Sequence, residues 1–385
     1  MQSATTPLYL EHERPWIDLE VEGRDEKRHR MRFMVDTGGG AILLTESMAE
    51  ELGIVLTGNN LTEEWGMSLE PVAPPAFFLG NMRIDARTDA FVLRQKHSEH
   101  LHSSVPAMIS GRALAGYRLT FDIPHQRFTI SDLGNAWASG EMLLSPVHPR
   151  TGFARVEIEV AGEHYGMLLD TGAGCTMVSP RIFDHWSQEH PEWPQIRGAF
   201  GSANKGRRDL DEGARMMRIP QFSLGFSQLE GICIVARQGG NRLEEFSEQV
   251  LTGPAIGALG GNVLKHFCYE INYTTGVSHL RQQSQSDQQD LDMVGLSLCP
   301  GGDNGWAILA IAESNDPRLL TAVQVGDTLL EVDNQPVAGR PLEQVIDALR
   351  GWPGDRRILL LERGAGAPEA GTTYGVETSV VQLLT

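Results

Sequence analysis

The feature that most constrains the fold of this chain is a tripeptide that occurs twice within an internal repeat. Asp-Thr-Gly stands at positions 36–38 and again at positions 170–172, and each copy ends an apolar run. A segment of alternating polar and apolar residues precedes each copy, from Trp16 to Val21 and from Ala154 to Val160. Such alternation is typical of β-strands with one buried face. The repeat therefore predicts two similar β-rich lobes, at residues 1–140 and 141–281.

The two repeated aspartates are the candidate catalytic residues. A single Asp-Thr-Gly is equally consistent with an ordinary strand-to-turn connection, but two copies at equivalent points of a repeat can meet. Two carboxyl groups held close together cannot both ionise, so one keeps its proton as an acid while the other serves as a base. The glycines let each loop turn sharply, and the threonine hydroxyls can bond to the opposite loop. We therefore predict a catalytic pair, Asp36 and Asp170, supported by Thr37, Gly38, Thr171 and Gly172.

Both lobes resemble the halves of retropepsin-type aspartic proteases. The resemblance rests on Asp-Thr-Gly, on the apolar residues before it, and on a later apolar element at residues 108–114 and 258–264. It covers most of residues 16–280 and implies a mainly β fold, in which two pseudo-symmetric β-barrel lobes form one cleft. It also implies an aspartic endopeptidase that activates water with the two aspartates. Because both acids lie in one chain, catalysis is not expected to depend on a second chain.

The residues after each glycine depart from the pattern of pepsins, which usually carry a serine there. Gly39 and Ala173 stand at these positions and offer no hydroxyl. Without a hydrogen bond to the ionised carboxylate, the pKa values of the aspartates should rise. The sequence thus predicts activity closer to neutral pH than that of a pepsin.

Two segments have the composition of flaps that could cover the cleft. In the first lobe the flap candidates are Trp65 and Gly66, and in the second lobe they are Phe200 and Gly201 at a similar offset from the aspartate. The alternative is a pair of ordinary surface hairpins.

The last part of the chain differs in composition from the two lobes. Residues 282–292 are polar and predict a flexible linker. Residues 293–385 resemble a bacterial, circularly permuted PDZ domain, which implies an α+β fold that holds a peptide C-terminus. By position, its carboxylate-binding loop comprises Met293, Val294, Gly295 and Leu296. In the alternative interpretation, this domain only packs against the lobes.

Composition narrows the classes of function and partner. The net charge of −18 and the lack of a dense Lys/Arg cluster argue against nucleic-acid binding. No apolar run is long enough for a membrane span, and we expect neither a metal nor a cofactor. The expected partner is a peptide or protein substrate. A non-cleaving, protease-like scaffold that binds peptides is the alternative function.

The first ten residues are consistent with two cellular locations of the protein. Residues 1–10 lack the basic and apolar regions of a secretory signal. A cytoplasmic protein is one interpretation. A periplasmic or otherwise extracytoplasmic protein whose leader has been removed is the other.

Overall fold

The computed structural model describes residues 2–59, 61–64, 67–94, 107–132, 140–301 and 305–384. The chain is mainly β and contains two related β-rich lobes, so the mainly β fold class predicted from the sequence is confirmed. A smaller unit of strands and two helices follows the lobes; we call it the C-terminal domain.

The first lobe consists of short strands around one helix. Its elements are β1 (Ser3–Glu11), β2 (Arg14–Glu22), β3 (Arg28–Asp36), β4 (Ile42–Thr45), α1 (Glu46–Glu51), β5 (Thr62–Glu64), β6 (Met67–Val72), β7 (Phe77–Leu79), β8 (Met82–Ile84), β9 (Ala90–Arg94), β10 (Met108–Ser110), β11 (Arg118–Asp122) and β12 (Arg127–Ser131).

The second lobe contains longer strands and more helix. Its elements are β13 (Glu141–Leu144), β14 (Arg155–Val160), β15 (Glu163–Leu169), β16 (Met177–Val178), α2 (Pro180–Glu189), β17 (Gln195–Arg197), α3 (Arg208–Asp211), β18 (Arg215–Leu224), β19 (Ser227–Ala236), α4 (Gln238–Val250), β20 (Gly257–Leu259), α5 (Gly261–Leu264), β21 (Phe267–Asn272) and β22 (Val277–Gln282).

The C-terminal domain has two helices beside a twisted sheet. Its elements are β23 (Asp292–Met293), β24 (Leu296–Pro300), β25 (Trp306–Ile311), α6 (Pro317–Ala322), β26 (Thr328–Val332), β27 (Gln335–Pro336), α7 (Leu342–Leu349), β28 (Arg356–Glu362), β29 (Thr373–Ser379) and β30 (Val381–Gln382).

Local sequence explains where the elements begin. Along β2 the residues from Pro15 to Val21 alternate between buried and partly exposed, as the period of a half-buried strand requires. Helix α1 begins at Thr45, whose hydroxyl accepts a hydrogen bond from the Met48 amide at 3.2 Å. Helix α2 begins in the same way at Ser179, with Pro180 in its first turn.

The two lobes share one strand order around the Asp-Thr-Gly loops. In the first lobe β10 lies between β3 and β4, and β9 follows β4; in the second lobe β20 lies between β15 and β16, and β19 follows β16. Strands β3 and β15 each pair in parallel with the inserted strand. Asp36 and Asp170 therefore leave their sheets at the same topological point.

A sheet shared by the two lobes holds them together. Strand β11 of the first lobe pairs antiparallel with β21 of the second, in the order β13-β22-β21-β11-β12-β1. The rings of Phe121 and Tyr269 stack across this junction with centroids 4.7 Å apart. One hydrophobic core continues through both lobes. The two halves of the cleft are thus fixed relative to each other by backbone pairing and by packing.

A second hydrophobic core joins the second lobe to the C-terminal domain. Phe200 and Met216 of the second lobe belong to the same buried cluster as Leu291, Leu298 and Trp306. This cluster continues into the interior of the C-terminal domain, including the buried face of α7. The domain is therefore packed onto the lobe instead of being tethered beside it.

The segment predicted to be a flexible linker is instead held along the second lobe. The hydroxyl of Ser284 hydrogen-bonds to His266 at 2.8 Å, and that of Ser286 accepts from the Glu230 amide at 3.1 Å. Asp290 forms an ion pair with Arg218 at 2.9 Å. Local composition does not indicate these contacts, because each joins the segment to a residue outside it along the chain.

Three further observations concern the cysteines, membrane-spanning helices and metal ligands of the described residues. Cys175, Cys233, Cys268 and Cys299 are free, and all except Cys268 are buried. Within the described ranges, no helix has the length and apolar character that a membrane crossing requires. The described residues also contain no group of His, Cys, Asp and Glu side chains arranged to hold a metal ion.

Candidate active site

The two predicted aspartates lie at the junction of the lobes. The Asp36 carbonyl accepts a hydrogen bond from the Gly111 amide at 2.7 Å, and the Asp170 amide donates to the Leu259 carbonyl at 3.0 Å. These bonds tie each loop to the strand inserted beside it. Both aspartates are only partly accessible, as expected for side chains at the base of a cleft.

The glycine of each triplet lies against the carboxyl group of the other lobe. A Cβ added to Gly38 would lie 2.6 Å from Cγ of Asp170, and one added to Gly172 would lie 2.5 Å from the carboxylate oxygens of Asp36. Only glycine therefore allows this approach of the loops. The structure brings the two predicted catalytic side chains together in one chain.

The two threonines form a reciprocal set of hydrogen bonds between the loops. The Thr37 amide donates to the Thr171 hydroxyl, and the Thr171 amide donates to the Thr37 hydroxyl, both at 3.0 Å. Each hydroxyl donates in turn to a carbonyl of the other lobe, that of Leu169 at 2.7 Å and that of Val35 at 2.5 Å. Four buried bonds thus fix the relative position of the two aspartates.

Hydrogen bonds from the loop backbone orient each carboxyl group. The Gly38 amide donates to Oδ1 of Asp36 at 2.8 Å, and the Gly172 amide donates to Oδ1 of Asp170 at 2.9 Å. The Ala173 amide also donates to Oδ1 of Asp170, at 3.2 Å. The pair therefore has unequal surroundings within pseudo-symmetric loops.

The pKa of Asp36 rises well above its ordinary range. Burial is the largest cause, followed by the charge of Asp170 and a hydrogen bond with Asp170; together they raise the pKa of Asp36 from 3.8 to about 8. The Gly38 amide and Lys205 oppose this rise. One proton is therefore held by the pair up to neutral pH, which agrees with the direction expected from Gly39 and Ala173.

A small apolar cluster lies next to Asp36 on the first lobe. It comprises Met34, Leu43, Leu69 and Met108, with Trp16 packed against them. Met34 lies two residues before Asp36 on the same face of β3. A Cβ on Gly39 would lie 2.9 Å from the Met108 methyl group and 3.0 Å from Oδ2 of Asp36. The carboxyl pair is thus bordered by an apolar wall.

The structure tests the flap prediction in the second lobe but not in the first. Trp65 and Gly66 lie outside the described residues. In the second lobe, Phe200 is fully buried in the core shared with the C-terminal domain, and Gly201 begins a single 3-10 turn. These two residues are therefore not the exposed tip of a hairpin, and the flap prediction is wrong for them. Phe200 has partners in the C-terminal domain, which the local sequence does not indicate.

The segment between β17 and β18 is held by the C-terminal domain. The side-chain amide of Asn204 donates to the Leu298 carbonyl at 2.9 Å, and its oxygen accepts from the Leu298 amide at 2.8 Å. Leu298 lies on β24, the edge strand of its sheet, so Asn204 satisfies backbone groups that would otherwise lack partners. By strand order, β17 and β18 are the counterparts of β5 and β6 in the first lobe.

The predicted carboxylate-binding loop of the C-terminal domain has no amide available for a ligand at its centre. The Val294 amide donates to the Leu349 carbonyl, the Gly295 amide to Oδ1 of Asn315 and the Leu296 amide to the Val294 carbonyl, each at 2.9 Å. Met293 pairs with Val381 on β30, and all of these side chains are buried. The predicted anion site is wrong, because the amide groups of Val294, Gly295 and Leu296 already donate to acceptors within the domain.

Sequence reasoning missed several residues near the pair. Tyr273 lies under the Asp36 loop, since its hydroxyl and the Cα of Thr37 occupy the space where a side chain on Gly111 would stand. Burial, with the charge of Asp36, raises the pKa of Tyr273. The charges of two basic residues, Arg14 and Lys205, also interact with those of the pair. The position of Arg14 could have been found by extending the β2–β3 register, whereas no sequence signal marks Tyr273 or Lys205.

Comparisons with known proteins give matches among solved structures. No protein-family model matches the chain, and no curated protein matches it. Among solved structures, the crystal structure of aspartic proteinase from Irpex lacteus matches with a TM-score of 0.44 and 10% sequence identity. The match covers 74% of this chain and 98% of that chain. The geometry of the Asp-Thr-Gly loops is the basis for the function proposed below.

Proposed function

We propose that this protein is an aspartic endopeptidase with Asp36 and Asp170 as its catalytic pair. The observation that carries the proposal is the contact of each carboxyl group with the glycine of the opposite loop, fixed by the Thr37–Thr171 bonds. A carboxyl pair that shares one proton offers an acid and a base on the two sides of one reacting group.

The proposed reaction uses water as the nucleophile. The ionised carboxyl group takes a proton from water while the water oxygen bonds to the scissile carbonyl carbon, and the protonated carboxyl group donates to the carbonyl oxygen. A tetrahedral diol results. Transfer of a proton to the amide nitrogen then accompanies cleavage of the C–N bond and releases both products. The two aspartates titrate as a pair, so their roles in a given step are a property of the pair.

Replacing either aspartate tests the proposal. We expect Asp36→Asn and Asp170→Asn each to lower kcat on a peptide library by about a thousandfold or more, because neither amide can exchange the proton. Asp85→Asn is a matched control, since the Asp85 side chain is 72% exposed and distant from the loops. Mass spectrometry of the library would identify the cleaved bonds. Appreciable activity in either variant would contradict a shared pair, and an inactive wild type would favour a peptide-binding scaffold.

A further inference from the structure

Arg14 lies beside Asp36 because of the register of the first hairpin. Trp16 on β2 pairs with Met34 on β3, so continuing the antiparallel register by two residues places Arg14 opposite Asp36. Residues directly opposite on one face of a sheet have Cβ atoms about 5 Å apart. In the second lobe Arg155 pairs with Leu168, and the same extension places Phe153 opposite Asp170. At these two equivalent positions, the first lobe therefore carries a cation and the second lobe an aromatic ring.

Contacts of the hairpin tip fix Arg14 between the lobes. His12 Nε2 hydrogen-bonds to the Asn204 carbonyl at 3.0 Å, and Glu13 forms an ion pair with Lys265 at 3.0 Å. A Cβ added to Gly174 would lie 2.5 Å from the His12 carbonyl oxygen. The tip of this first-lobe hairpin thus rests on the second lobe and positions the residue that follows it.

Lys205 approaches the pair from the second lobe. It follows Asn204, which the C-terminal domain holds, and its amide donates to Oδ2 of Asp211 at 2.9 Å. Burial and the nearby charges of Arg14 and Arg237 lower the pKa of Lys205 well below its ordinary range, and the charge of Asp170 opposes this. Because His12 at the tip of the Arg14 hairpin bonds to the Asn204 carbonyl at 3.0 Å, Lys205 follows directly after the residue that this tip contacts.

Neither cation has a partner among the described residues. Within the described ranges, neither Arg14 nor Lys205 forms an ion pair or a side-chain hydrogen bond. The Nε atom of Arg14 is buried and has no hydrogen-bond partner. Arg237 differs, because it forms an ion pair with Asp211 at 3.2 Å. Glu343 on α7 counters the effect of burial on the pKa of Arg14, but it makes no ion pair with it. Partly buried cations without partners are costly, and an anion would offset that cost.

We propose that Arg14 and Lys205 form a subsite for a substrate carboxylate close to the scissile bond. This inference rests on the proposed endopeptidase function and deepens it by naming the substrate class, acidic peptides. The carboxylate comes from a Glu or Asp side chain or from a free C-terminus. Two cations also offset the repulsion between that group and the single negative charge of the carboxyl pair.

The first experiment measures cleavage. The substrates are blocked octapeptides from the cleavage library with Glu, Gln or Lys beside the scissile bond, and a neutral peptide with a free C-terminus. Wild type should prefer Glu, and Lys205→Met and Arg14→Gln should each lower the ratio of kcat/KM for the Glu peptide to that for the Gln peptide about tenfold. Lys205→Glu should favour the Lys peptide. If wild type instead prefers the neutral peptide with a free C-terminus over the blocked Gln peptide, and the same variants lose that preference, the subsite is supported with the terminal carboxylate as its ligand.

Matched controls separate the subsite from a general effect on folding. Lys27→Met removes the same charge from an exposed side chain and should leave the preference unchanged. Lys205→Arg keeps the charge and should keep the preference. Thermal unfolding of every variant identifies those that fail to fold, and the Lys205 series still tests the subsite if Arg14→Gln is one of them. Cleavage by wild type without an acidic preference, or a preference that persists in folded Lys205→Met, would overturn the subsite and leave the endopeptidase proposal in place.

The second experiment measures binding without cleavage. The ligands are blocked, alanine-rich octapeptides with one central Glu or Gln. Calorimetry would measure their binding to the Asp170→Asn variant and to the double variant that also carries Lys205→Met. Binding of the Glu peptide that depends on Lys205 supports the subsite, even if wild type cleaves nothing and the endopeptidase proposal fails. Equal binding of the two peptides, or no binding of either, would overturn it.

Discussion

At the scale of the residue, the burial of Asp36 couples its protonation to folding. In the folded protein the pKa of Asp36 is about 8, against 3.8 for a free aspartate, with burial and Asp170 as the main causes. A raised carboxyl pKa means that the folded state holds a proton that the unfolded state releases. Asp36 therefore favours folding most below pH 4, and this contribution is lost as the pH rises towards 8.

We expect Asp36→Asn to change the pH dependence of stability. Because Asn cannot ionise, wild type should lose stability relative to the variant between about pH 4 and pH 8, by several degrees in Tm. Differential scanning calorimetry at a series of pH values would measure the change. Asp85→Asn should show no such trend. A constant difference in Tm between Asp36→Asn and wild type across this range would contradict the raised pKa.

At the scale of the element, the two Asp-Thr-Gly loops are one unit built from two lobes. Each threonine hydroxyl accepts from the amide of the other threonine and donates to a carbonyl of the opposite strand. These groups are buried, so removal of one hydroxyl leaves both an amide and a carbonyl without partners.

Thr37→Val should destabilise the protein although it preserves the shape of the side chain. Two buried backbone groups lose their partners, which we expect to cost about 2 to 4 kcal/mol and to lower kcat by displacing the carboxyl groups. Thr37→Ser keeps the hydroxyl and should retain most of the stability and activity. Urea unfolding together with peptide cleavage measures both effects. Equal stability of the valine and serine variants would show that the interloop bonds do not hold the pair.

At the scale of the whole molecule, the C-terminal domain completes the second lobe. It shares a hydrophobic core with that lobe, its edge strand holds Asn204, and Arg218 Nε donates to the Leu384 carbonyl at 3.1 Å. Since Asn204 precedes Lys205, the domain also determines the position of a cleft residue. We infer that the C-terminal domain supports the second lobe at the proposed cleft. The resemblance had implied a different role, which is binding of a peptide C-terminus.

Truncation after Asp290 tests this role. The fragment would expose Phe200 and Met216, which are fully buried in the intact chain, and would lose the Asn204–Leu298 bonds. We expect a lower Tm, self-association, and loss of cleavage of short peptides as well as proteins. Light scattering and peptide kinetics would report these changes, and adding residues 291–385 in trans should partly restore activity. A monomeric fragment with full activity on short peptides would contradict the inference.

The sequence predicted the parts of the fold that depend on local pattern and repetition. Alternation predicted the strands that became β2 and β14, and duplication predicted that Asp36 and Asp170 lie at equivalent points of two lobes and can meet. The wrong predictions share one physical cause, which is pairing between residues distant in sequence. Phe200 was predicted to be a flap tip, but it packs against residues of the C-terminal domain. The Gly295 amide was predicted to bind a carboxylate, but it donates to Asn315.

The asymmetry between Arg14 and Phe153 has a consequence for how a substrate chain can lie in the cleft. A site assembled from two identical chains presents every group twice and treats both directions of a bound peptide alike. Fusion of the two halves into one chain removes that equivalence, since each half can vary alone. With Arg14 opposite Asp36 and Phe153 opposite Asp170, the two halves of the cleft differ at equivalent positions. In the proposed endopeptidase, we therefore infer that peptides bind in a single polarity and that the two products leave from chemically different halves.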